Sequence, residues 1–167
     1  MSDTNNKAKK GKLDSIKEFA NESRLLAALL DRGYNASRVD LPHSTYDIVV
    51  EIATRDVIRI QVKTVSPLKS IPFTSGGRGG VDRTYRSDVK TYVHNTETCD
   101  IIVGVESLAS NGDQEINFYF VPTLFIEKLG QRSITIRKIP QAKNNWEILD
   151  RCREMRFVYE IFGRLFK

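Results

Sequence analysis

Apolar residues first recur at helical spacing: Leu13, Ile16, Phe19, Ala20, Leu25, Leu26, Leu29 and Leu30 return every three to five positions, which predicts one amphipathic helix stopped by Gly33. Asp14 and Ser15 stand near its start and offer capping oxygens. Beyond the helix the period changes. Residues 35–41 read as a short first strand that ends at Pro42. Ile48, Val49, Val50 and Ile52, then Val57, Ile58, Ile60 and Val62, are β-branched and apolar as in strands of a covered sheet. The short connection 53–56 joins them into a hairpin. Residues 100–105 read as a buried strand whose partner, 116–121, follows a turn near Asn111-Gly112-Asp113. Pro122 then opens a short helix through Leu129, which Gly130 closes. Residues 133–136 alternate as an edge strand does, and 146–149 and 155–166 are expected to be helical or mixed. Helices interleaved with strands in this way place the chain in the α/β class.

Two stretches stand outside that pattern. Residues 1–11 are polar and lysine-rich without apolar periodicity, and are expected to form a flexible basic tail ahead of a single domain, 12–167. Between 66 and 90, Pro67, Pro72, Gly76, Gly77, Gly79 and Gly80 mark a long glycine-rich loop, a length that usually serves a function. A length of 167 residues, 40% of them hydrophobic, suits one domain with its own core. The two cysteines, Cys99 and Cys152, lack a CxxC partner, which gives zinc and redox motifs little support and fits a reducing, intracellular setting. No apolar stretch has the length of a signal sequence core or a membrane span, so a soluble chain without membrane contact is expected.

Charge adds a partner. The formal net charge of +5 is permissive for an anionic ligand. Its distribution is more specific: Lys7, Lys9, Lys10 and Lys12 crowd the tail; Lys69, Arg78, Arg83, Arg86 and Lys90 surround the glycine-rich loop; Arg132, Arg137, Lys138 and Lys143 form a third group. Solvated faces are the plain alternative for each group taken alone.

The candidate chemistry sits on the hairpin. Asp47 opens it and Gln61 and Lys63 close it, the latter two on one face because side chains alternate along a strand. Asp47 and the Gln61 amide oxygen are hard donors suited to a divalent cation, and an amine beside them suits activation of water and opposition of phosphate charge. Glu18 and Glu22, one turn apart, share a face of the helix and compete for a supporting role. Singly, each of these residues reads as a turn, cap or solvated side chain. His43, His94, Tyr85 and Tyr92 are ambiguous in the same way.

Taken together, Glu22 on a helix, then Asp47, then a strand ending Gln61-Val62-Lys63 resembles the PD-(D/E)XK nuclease superfamily. Glu22 precedes Gly33-Tyr34 much as the metal-site glutamate precedes a glycine and an aromatic residue in archaeal Holliday-junction resolvases, which favours Glu22 over Glu18. Tyr46 stands where the motif has proline, and Gln61 where it has a second acid. Such a glutamine is similar to that of the small cyanobacterial group I intron homing endonucleases, whose later strand ends as Phe118-Tyr119-Phe120-Val121-Pro122 does here. The resemblance implies a central mixed β-sheet flanked by helices and Mg²⁺ held by Asp47, Gln61 and Glu22, with Lys63 assisting the water. It also implies double-stranded DNA held by Lys69, Arg78, Arg83, Arg86, Lys90, Arg132, Arg137 and Lys138, and a homo-oligomer, a tetramer in that family. A restriction endonuclease, a junction resolvase, a catalytically silent DNA-binding protein and a protein-interaction module are the alternatives.

Overall fold

The structure, a computed structural model, describes residues 2–66, 68–76, 91–110 and 113–166. Helix α1 (Ser2–Asp31) begins well before Leu13 and takes in residues expected to be a tail. Alanine and lysine are good helix formers, so the absence of an apolar stripe there does not end the helix. Asp14 and Ser15 therefore lie inside α1 rather than at its cap, and the Ser15 hydroxyl donates to the Gly11 carbonyl at 3.1 Å. The other end is as expected: Gly33 takes φ 83°, and the amides of Gly33 and Tyr34 bond back to Leu30 and Leu29.

Five strands form the central mixed sheet in the order β1-β2-β3-β7-β8. They are β1 (Asn35–Arg38), β2 (Ile48–Glu51), β3 (Val57–Thr64), β7 (Ile101–Ser110) and β8 (Asp113–Pro122). The β2–β3 pair is the expected hairpin, and only β3–β7 is parallel. Strand β1 is shorter than the expected 35–41, although the Val39 amide still reaches the Asp47 carbonyl at 2.8 Å. Along β3 the buried Ile58, Ile60 and Val62 alternate with the half-buried Arg59, Gln61 and Lys63. Helix α1 covers the first of these faces with Leu25 and Leu29, and its Asn21 amide donates to Thr64 Oγ1 at 2.9 Å. The second face carries the candidate chemistry.

Two ribbons lie beyond the sheet. Strand β4 (Ser70–Pro72) pairs with β9 (Ser133–Thr135), and β5 (Thr74–Ser75) with β6 (Tyr92–Val93). The alternation in 133–136 thus marks a separate ribbon rather than an edge of the central sheet. Pro122 closes β8; α2 (Thr123–Leu129) follows it and ends at Gly130, φ 64°. The chain finishes with α3 (Glu147–Arg151), α4 (Met155–Phe162) and a 3-10 turn, Gly163–Leu165. Asp100 ties this end to the sheet by accepting from Arg59 Nε (3.1 Å) and Arg153 Nη2 (3.0 Å). Burial pushes its carboxyl up, but these guanidinium bonds win and hold it below its usual value. Among the described residues no helix is long and apolar enough to cross a membrane.

Gly104, opposite Lys63 in the parallel pair, lets the β4–β9 ribbon approach. A Cβ there would meet Ile71 Cδ1 at 2.7 Å and Cγ1 at 2.8 Å. Gly104→Ala is therefore expected to lower stability by ~1–3 kcal/mol, as overpacking does. In an Ile71→Ala background, which removes both atoms, the same change should cost less; urea midpoints of the four proteins check this, and equal costs would remove the steric account.

Candidate active site

Asp47 is held from both sides of its backbone. It immediately precedes β2, its amide donates to the Ile60 carbonyl at 2.8 Å, and its carbonyl accepts from Val39 at 2.8 Å. The side chain is fixed as well: Oδ2 accepts from Gln61 Nε2 at 2.6 Å and from the Val62 amide at 2.7 Å. The hairpin register that sets Ile48 against Ile60 continues here and brings Asp47 beside Gln61. Burial pushes the Asp47 carboxyl up to about 6; the Val62 amide works against this, Glu22 raises it further, Lys63 lowers it, and Glu18 raises it.

Lys63 emerges on the same face of β3 and is half-buried. Burial lowers its pKa, while the charges of Asp47 and Glu18 resist that shift. Its Nζ donates to Ser75 Oγ at 2.7 Å, and Ser75 Oγ lies 2.7 Å from His94 Nε2. His94 is completely buried, and burial, followed by the Lys63 charge, pushes its pKa down to about 4. Tyr92 stands edge-on to its ring, centroids 5.2 Å apart. His94 and Tyr92 were legible only as ambiguous residues. Ser75 carried no sequence signal, because β5 and its partner β6 are each two residues long, too short to show an alternating pattern.

The two glutamates of α1 take different positions. Glu22 Oε2 accepts from Arg38 Nε of β1 at 2.9 Å, with 17% of its side chain exposed, and the Arg38 guanidinium lies over the Phe19 ring. Glu18 is exposed. Both raise the Asp47 pKa, and the charge of Glu18 also raises that of Lys63. Among the described residues no group of three or more His, Cys, Asp or Glu side chains stands ready to hold a metal ion. The donors near Asp47 nevertheless suit Mg²⁺, which takes oxygen ligands and commonly uses one or two carboxylates while keeping several waters. Gln61 turns its amide nitrogen towards Asp47; half a turn about its last bond would offer the oxygen instead.

Basic side chains distant in sequence converge on the β4–β9 ribbon. The Ile136 amide donates to the Lys69 carbonyl at 2.9 Å, which sets Lys69 close to Arg137 and Lys138, and Phe73 donates to the Arg132 carbonyl at 2.8 Å at the ribbon's other end. All four basic side chains are exposed. Lys69 Nζ reaches the buried Glu106 carboxylate at 4.0 Å. Arg78, Arg83, Arg86 and Lys90, with Gly77, Gly79, Gly80 and Tyr85, lie outside the described residues. His43 is exposed, with φ 65°.

No family model matches this chain, and no curated protein matches it. Among solved structures it is similar to a bacterial homing endonuclease, I-Ssp6803I, with a TM-score of 0.59 and 15% identity over 82% of this chain and 93% of the other. At that identity the likeness is one of fold.

Proposed function

We propose that the chain is a Mg²⁺-dependent, sequence-specific double-strand DNA endonuclease of the homing type, with a PD-(D/E)XK-like site. The observation that carries this reading is the 2.6 Å contact between Asp47 and Gln61 on the strand face that also presents Lys63. The fold shared with a homing endonuclease supports it. Asp47 and Gln61, with Glu22 in support, would hold the cation, which when bound would offset charge on the phosphate and favour ionised water. Lys63 orients the attacking water and faces the developing phosphate charge. Lys69, Arg132, Arg137 and Lys138 supply a basic surface for the DNA backbone, an attraction that weakens with salt. The enzyme acts as a homo-oligomer inside the cell, two active sites serving two strands.

Cleavage assays on linear, supercoiled and four-way-junction DNA with Mg²⁺ test the reading. Discrete cuts in linear duplex support it. Cutting of the junction alone favours a resolvase. Binding that resists added metal without any cutting favours a silent DNA-binding protein, which the amide at position 61 would suit. The glutamates separate in the same assay: Glu22→Gln is expected to raise the Mg²⁺ concentration for half-maximal cutting by ~10-fold, and Glu18→Gln to change it little. The reverse ranking would transfer the supporting role to Glu18.

A further inference from the structure

We propose that Ser75 and His94 are positioning residues for Lys63, forming a fixed hydrogen-bond chain that aims its Nζ across the Gln61 face. The proposal rests on the nuclease reading, since it gives these two residues their task through Lys63.

Each link of the chain is held on both sides. An ammonium only donates, so Ser75 Oγ accepts from Lys63 at 2.7 Å. The same oxygen lies 2.7 Å from His94 Nε2, and Tyr92 is a further hydrogen-bond partner of Ser75. The opposite side of the ring is held as well: Nδ1 lies 3.1 Å from Thr98 Oγ1, which donates to the Asn95 carbonyl at 2.9 Å, and 3.6 Å from Cys99 Sγ. The chain thus runs from Lys63 through Ser75 to His94, and from His94 to Thr98 and Asn95. Complete burial of His94 and the adjacent Lys63 charge favour a neutral imidazole.

Position, rather than proton transfer, is what such a chain provides. A ring nitrogen pushed down to about 4 is too weak a base to take the lysine proton at neutral pH. The flanking backbone is fixed as well: Ser75 is paired with Tyr92 in the ribbon, and the His94 amide donates to the Phe73 carbonyl at 2.8 Å. An amine on a four-carbon stem has many rotamers, and anchoring one of them removes an entropic cost from each turnover.

Steady-state cleavage by the full chain with Ser75→Ala, Ser75→Thr and His94→Gln tests this. Ser75→Ala is expected to lower kcat by ~10–100-fold, the scale of a small misplacement, with KM and DNA affinity unchanged. Ser75→Thr, which keeps the hydroxyl, should recover most of the loss. If His94→Gln does not fold, the two Ser75 variants decide the matter. The contact is read without cleavage from the ¹⁵N spectrum of the His94 ring at neutral pH, whose Nε2 signal is expected to shift in Ser75→Ala. Wild-type cutting with an unaffected Ser75→Ala, a loss confined to KM, or a ring signal that Ser75→Ala leaves unchanged overturns this proposal and leaves the nuclease reading intact. A wild-type protein that cuts no DNA overturns both.

Discussion

Lys63→Ala is expected to reduce cleavage by ~10³-fold or more while leaving DNA affinity within a few-fold of the wild type. The size of the loss follows from the role proposed for Lys63, on water and on developing charge together, each effect alone being worth ~10²–10³-fold. Affinity should hold because the proposed phosphate contacts lie with the exposed Lys69, Arg132, Arg137 and Lys138, whereas Lys63 is half-buried and bonded to Ser75. Folding should hold too: the variant removes an amine whose burial disfavours its charge, and Ser75 keeps His94 and Tyr92 as partners. Single-turnover rates and a binding titration on one duplex check both halves. An inert wild type and an inert variant that bind DNA equally well would sink the enzyme reading.

Asp47→Asn is expected to abolish cutting and, at the same time, to make the metal-free protein more stable at neutral pH. Burial takes the carboxyl from its ordinary value of 3.8 to about 6 in the fold. The folded chain therefore binds this proton more tightly than the unfolded one, and the stability gained is fully present below about pH 4 and lost as pH rises through 6. A rise of that size corresponds to ~3 kcal/mol at most, so ~1–3 kcal/mol should return at pH 7 when asparagine replaces the charge. An asparagine whose Oδ1 takes the place of the Asp47 Oδ2 still accepts from both the Val62 amide and the Gln61 amide nitrogen. His94 works in the opposite sense. Its fall from 6.5 to about 4 means the unfolded chain binds the extra proton, and stability rises with pH across that window. The wild type should accordingly show a muted response between pH 4 and 6.5, and Asp47→Asn a clear rise. Urea midpoints with chelator from pH 4 to 8 measure this; an asparagine variant less stable than the wild type at pH 7 would contradict the burial account of Asp47.

The sequence made the local parts readable. Asp47 and Gln61 adjoin because a short turn and strict alternation along two strands set their register, and both features are local. Helix α1 was readable over its amphipathic half, where burial of Leu25 and Leu29 imposes the period, and unreadable over residues 2–12, where propensity alone carries it. The pairing of Ser70 with Thr135 joins distant segments, and that of Ser75 with Tyr92 joins strands only two residues long. No local pattern encodes such partners, and the same holds for the anchor of Lys63. Glu22 was singled out on spacing, yet its engagement by Arg38 depends on how β1 lies along the helix.

The parallel β3–β7 junction has a kinetic side. The hairpin that joins Asp47 to Gln61 can close within its own short stretch, on the microsecond scale of such elements. Strand β7 can dock on β3 only after the chain between Thr64 and Ile101 has folded back, and closing such non-local contacts is slow. The carboxylate and amide pair is thus expected to assemble early in folding, whereas Lys63 gains its place opposite Gly104 late. A chain caught between the two stages holds the acidic half of the site without its correctly aimed amine.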